Sequence, residues 1–166
     1  MSKSKIIFAA LCSLGGGFLW AAAPALSRRE IDAKFPADVG PDTIDVSGYP
    51  AHHQDSYEFF RHACSVCHSP ARALHSSLRT YDQWNRYVRR MHVRAQEQLL
   101  TPEDSRRLVD FLVYDSRQRK IKNKKAFDVL QGQIHKRFEE VQMEKARLRK
   151  KTKQAAQEPA PYTGAR

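Results

Sequence analysis

Two thiols three positions apart with an imidazole directly behind them, Cys64-Ser65-Val66-Cys67-His68, carry the most specific chemistry this sequence offers. Cysteines one helical turn apart can each add to a vinyl group of one porphyrin, and the adjacent histidine then meets the iron from the same side. The motif points to one covalently attached haem c, with Cys64 and Cys67 as thioether sites and His68 as proximal iron ligand. Other readings of the pair are weaker. A disulfide closing so short a loop would constrain the unfolded chain very little. A thioredoxin-like dithiol needs a strand ahead of the motif, and no strand-like run precedes Cys64. A zinc site needs two further ligands at finger or ribbon spacing; His75 and His92 are available, but there is no second C-x-x-C.

Covalent haem attachment takes place outside the cytoplasm, and the amino terminus fits that compartment. Lys3 and Lys5 precede an uncharged, mostly apolar run from Ile6 to Leu26 that closes on Ala21-Ala22-Ala23-Pro24-Ala25, the pattern of an export signal. Residues 1–25 are expected to be a signal peptide or, since about 20 apolar residues span a bilayer, an uncleaved membrane anchor. Either way the remainder is expected in the periplasm, soluble or tethered. Cys12 falls inside this segment, which leaves Cys64 and Cys67 as the cysteines beyond it.

Three amphipathic segments must position the motif. The first runs from Ser56 through Phe59, Phe60 and Ala63 into the cysteines. The second opens with the capping box Thr80-Tyr81-Asp82-Gln83, and Trp84, Tyr87, Val88 and Met91 follow at helical spacing. The third opens Thr101-Pro102-Glu103-Asp104, with proline at the first helical position and acids in the first turn, and carries Leu108, Phe111 and Leu112 on one stripe. Residues 55–117 thus predict a small all-α domain, marginal at that size unless a buried haem completes its core. Residues 26–54 hold Pro36, Pro41, Pro50, Gly40 and Gly48 without periodicity and read as a linker.

The order of these features resembles a short class I-type mono-haem cytochrome c domain, over residues 55–117 only. The resemblance implies a helix entering the C-x-x-C-H, a C-terminal helix packed across it, and a methionine between them as sixth iron ligand. Met91 matches that methionine, on one stripe with Trp84 and Val88; His92, His75 and a vacant position are the alternatives. His52, His53, His62 and His135 are expected to be solvated. Trp84 is a candidate propionate donor or a plain core residue, and Arg79, Arg86 or Arg89 could neutralise propionate charge. The implied function is one-electron transfer without bond-making catalysis, since no acid–base constellation accompanies the motif. A haem-based sensor with an open or displaceable sixth position is the alternative.

The formal net charge is +11, and it is unevenly placed: residues 117–166 hold 15 Lys and Arg against 5 Asp and Glu. Mean hydropathy is low, −0.66, so part of the chain is expected outside a packed core. Over 118–153 Phe127, Ile134, Val141 and Leu148 recur every seven residues, with Leu130 between them. One narrow apolar stripe on a basic helix suits an element lying on a partner or folding back on its own domain. Residues 154–166 are expected to be disordered. Outside the cytoplasm such charge suits an acidic redox protein, a membrane redox complex or an anionic lipid surface, and not nucleic acid. Membrane association would come through residues 6–26 or through the basic helix.

Overall fold

A computed structural model of the chain describes residues 25–94 and 100–157. Their secondary structure is helical, with no strand among them. The elements are α1 (Arg28–Asp32), a 3₁₀ turn (Pro36–Val39), α2 (Ala51–Ser65), α3 (Ala71–Leu74), α4 (Tyr81–Arg94), α5 (Pro102–Asp115), a π-helical turn (Ser116–Lys122) and α6 (Lys124–Gln157). The all-α expectation holds for this part of the chain. Residues 1–24, which hold nearly all of the segment expected to be an export signal or anchor, and residues 95–99 and 158–166 lie outside the described residues.

Local sequence sets the helix starts. Thr101 accepts from the Asp104 amide at 3.0 Å while the Asp104 carboxylate accepts from the Thr101 amide at 3.0 Å, a closed capping box ahead of α5. Gln83 and Thr80 make the same exchange, with Gln83 accepting the Thr80 amide at 3.1 Å. Helix α2 starts five residues before the expected Ser56, because Pro50 precedes the first turn and cannot continue a helix backwards. Tyr57 and Phe60 of α2 face Phe111 of α5, with ring centroids 5.6 and 5.4 Å apart. Leu74, Trp84, Val88, Leu108 and Leu112 complete this core.

The segment read as a linker is folded. Ser27 caps α1, and Glu30 receives Arg137 of α6 at 2.6 Å. Asp38, almost fully buried, pairs with Arg72 at 2.6 Å. The amide of Ile44 donates to the Tyr57 hydroxyl at 2.9 Å. These anchors are polar and distant in sequence, so no apolar period announces them.

Helix α6 folds back on its own domain. Phe127, Ile134 and Val141 are buried, whereas Leu148 is 43% exposed, so the seam ends after Val141. The helix also begins later and runs further than the 118–153 expected, because the chain first makes the π turn that carries Ser116 and Lys120 inward. Buried Asp115 accepts from Arg119 at 2.6 Å and from the Tyr49 hydroxyl at 3.0 Å. Lys120, fully buried, donates to the carbonyls of Ser76 at 3.0 Å and Leu78 at 3.2 Å, with its ammonium 4.8 Å from the Trp84 ring centroid. Burial pushes the Lys120 ammonium down from 10.5 to about 7, against the pull of Asp115. His75 is buried as well and falls from 6.5 to about 4, burial again being the main cause.

Two predictions follow from this packing. A Cβ at Gly40 would lie 2.4 Å from the His75 ring and 2.9 Å from Ile134, and that ring is held by the Pro41 carbonyl at 2.8 Å. Gly40→Ala should therefore lower stability by about 1–3 kcal/mol, whereas Gly132→Ala, with open space around it in α6, should raise it by roughly 0.5–1 kcal/mol. Urea midpoints shifting in opposite directions check the pair. The second concerns pH. A cation whose acidity is strengthened by folding leaves the unfolded chain with more bound protons, so stability climbs as pH rises from the folded towards the unfolded value. Lys120 should contribute such a climb between pH 7 and 9, before the Cys64 thiol, pushed up from 9 by burial, acts in the opposite sense. Lys120→Met should flatten it; an undiminished climb in that variant would assign it to another group.

Candidate functional site

Helices α2, α4 and α5 enclose a cavity of about 470 Å³. Its walls are largely apolar, with Ala63, Val88, Leu100, Leu108 and Leu112 among them. Cys64 reaches it from the last turn of α2, and Cys67 and His68 from the turn that follows. Met91 reaches it from the last turn of α4. Four residues singled out in the sequence thus share one cavity.

One hydrogen bond orients the His68 ring. Its Nδ1 donates to the Ser69 carbonyl at 3.0 Å, which leaves the lone pair of the neutral ring on Nε2. The turn behind it is tied down, since the Ser69 hydroxyl donates to Asp42, which also pairs with Arg29. The two thiols differ. Cys64 is half-buried, and burial together with neighbouring Cys67 pushes its thiol up to about 12, whereas Cys67 is exposed.

Other candidates are placed elsewhere. Trp84 does not line the cavity: its indole N–H donates to the Ser116 hydroxyl at 2.9 Å inside the core. The propionate role considered for Trp84 is therefore corrected, because its one donor is spent, and the core reading stands. His75 has its Nε2 on the Pro41 carbonyl, and neither it nor His92 lines the cavity. His53 is buried and stacked on Tyr114 at 4.0 Å, contrary to the solvated role expected of it. Among the described residues no group of three or more His, Cys, Asp or Glu is arranged to hold a metal ion by itself.

The cationic side chains in the cavity are not those expected. Arg86 and Arg89 are exposed and Arg79 lies off the cavity; Arg72, Arg90 and Arg94 line it. Tyr87 lines it too, and its buried hydroxyl has no hydrogen-bond partner. Burial lifts that phenol to about 12, so it stays a donor at neutral pH. The signal was present in the sequence: Tyr87, Arg90, Met91 and Arg94 recur at i, i+3, i+4 and i+7, one face of a helix. A buried hydroxyl without a protein partner marks a place where a water or the polar group of a ligand can be received. An amphiphile of large apolar area with anionic groups at one side fits this set of donors.

Comparison with family models, with curated proteins and with solved structures finds no match to this chain. The site is read from its own residues. One consequence is open to measurement. In reduced protein carrying no ligand, iodoacetamide at pH 8 should alkylate Cys67 at least roughly tenfold faster than Cys64, because the thiolate is the nucleophile and Cys64 is held protonated. Peptide mass mapping after brief labelling checks the order; equal rates would contradict the burial of Cys64.

Proposed function

We propose that this chain is a mono-haem c-type cytochrome, with a domain of the short class I type that its motif order resembles, and that it carries single electrons outside the cytoplasm. The observation that supports this best is the shared cavity. A C-x-x-C-H and a methionine from another helix border one apolar space, with a hydroxyl lacking a partner and two arginines on the same helix as that methionine.

On this reading Cys64 and Cys67 hold the haem covalently, His68 is its proximal ligand through Nε2, and Met91 is its sixth ligand. The bound group supplies a one-electron couple at iron, and thioether ligation raises its potential. The chain contributes the rest. Leu108, Leu112 and Val88 exclude water and keep the local dielectric low. Tyr87, Arg90 and Arg94 would receive the two haem carboxylates, which would be costly in an apolar wall without charged or hydrogen-bonding partners, while Arg72 stays with Asp38. The Ser69 carbonyl fixes the orientation and tautomer of His68. No side chain of the site is asked to move a proton.

Protein matured by its native host should give a pyridine haemochrome spectrum of the c type and an intact mass increased by one haem. Met91→Ala should lose the thioether-to-iron band at the near-infrared edge and lower the potential, while His92→Ala should change neither. The reduced protein should refuse carbon monoxide; fast stoichiometric binding would favour the sensor reading. Two free thiols in host-matured protein would end the proposal.

A further inference from the structure

Cys67, His68 and Arg72 line the apolar cavity on one side and a polar groove of about 800 Å³ on the other. The groove runs between the Ser65–Ser69 turn, the end of α1 with Lys34, and α6, which contributes Lys145 and Arg149. Its acids are already matched: Asp32 pairs with Arg28 at 2.8 Å and Asp38 with Arg72 at 2.6 Å. Its cations are not. Arg29 has Asp42, but Lys34, Lys145 and Arg149 have no acidic partner among the described residues. Two exposed apolar side chains, Ile31 and Val66, also line it. Beyond it Lys150, Lys151 and Lys153 carry the charge along the exposed end of α6.

From this arrangement we infer that the groove is the docking face for a one-electron redox protein with an acidic, protruding surface, and that α6 exists in part to build it. The inference rests on the haem reading above. Charge at the rim steers an oppositely charged partner, and apolar contacts at the centre hold it. Concavity favours a protein loop, because a flat lipid surface cannot enter a groove walled by α1 and α6. Cys67 and His68, which would both be bonded to the haem, also line the groove, so the face lies beside the attachment turn. The bound haem would supply one one-electron couple and the partner's own centre the other. Whichever centre loses the electron is oxidised and the other reduced, and no bond or proton changes hands.

Reduced holoprotein is mixed with ferricyanide, an anionic one-electron oxidant, and separately with tris(phenanthroline)cobalt(III), a cationic one. Lys34→Glu with Arg149→Glu is compared with Lys125→Glu plus Lys136→Glu, which changes the net charge equally at exposed sites outside the groove. At low ionic strength the groove pair should slow ferricyanide about tenfold and speed the cobalt complex, and the difference should vanish in high salt. The control pair should move either rate by less than about twofold. Polyglutamate should protect the wild type from ferricyanide and not the groove pair. Equal effects of the two pairs would overturn the placement. Binding to phosphatidylserine vesicles that is lost with the groove pair would hand the face to a membrane and overturn the protein partner. A haem spectrum with indifferent rates defeats this inference alone, whereas no haem spectrum defeats the reading beneath it.

Discussion

The architecture turns on an apolar space that its own side chains do not fill. A closed, dry void of about 470 Å³ would cost about 11 kcal/mol at roughly 24 cal/mol per Å³, as much as a whole small domain is stable. Opening to water softens that figure, and Val88, Leu108 and Leu112 remain buried on the cavity's core side. A domain of this size has little to offset such a loss. The helices that border the space thus serve as its walls as well as forming a core. On the proposed reading, covalent attachment through two thiols makes the occupant permanent, so the domain is never asked to survive hollow.

How the walls are made explains what could be read in the sequence. Helix starts at Thr80 and Thr101 are local events, governed by side chains three residues apart, and both are legible without tertiary information. So is the Cys64–His68 motif, because its chemistry depends on spacing alone. The charged side of the cavity is different. Tyr87, Arg90 and Arg94 share the face of Met91 at plain helical spacing, yet arginines on a helix read as a solvated face until something places them against an apolar wall. Trp84 misleads in the opposite way. Its stripe is the right one, but Trp84 lies about two turns before Met91 along α4, where it donates to Ser116 and does not reach the cavity. Residues 26–54 were illegible as structure for a further reason. Their anchors, Glu30 to Arg137 and Asp38 to Arg72, join points 107 and 34 positions apart, and polar contacts at such range leave no period behind.

The π turn between α5 and α6 links these layers. The widened turn buries Asp115, Ser116 and Lys120, which meet Tyr49, Trp84 and the carbonyls of Ser76 and Leu78. Buried charges of this kind are poor stabilisers but costly to leave without partners, so each must be met by a particular neighbour. Asp115 has Arg119 and Tyr49, Lys120 has two carbonyls, and Ser116 bridges Trp84 to Leu78. Such a set specifies one direction for α6 where an apolar contact would tolerate several. Direction matters because α6 then packs on the 3₁₀ turn, with Ile134 beside Gly40, and Lys145 meets the Ala33 carbonyl at 3.1 Å.

A narrow seam of three buried apolar side chains would hold a 34-residue helix only weakly if it had to find its own register. With its start fixed by Asp115 and Lys120, and its middle by Glu30 and Arg137, the helix needs no wider stripe, and the rest of its circumference is free to carry charge. That division of labour answers why so basic a segment is ordered at all. Repulsion among its cations is tolerated because the register is set from the acidic and polar groups of the domain, and the surplus is delivered beside the turn that holds Cys67 and His68. A helix of the same composition without the π turn would be a solvated rod; with it, the charge has an address.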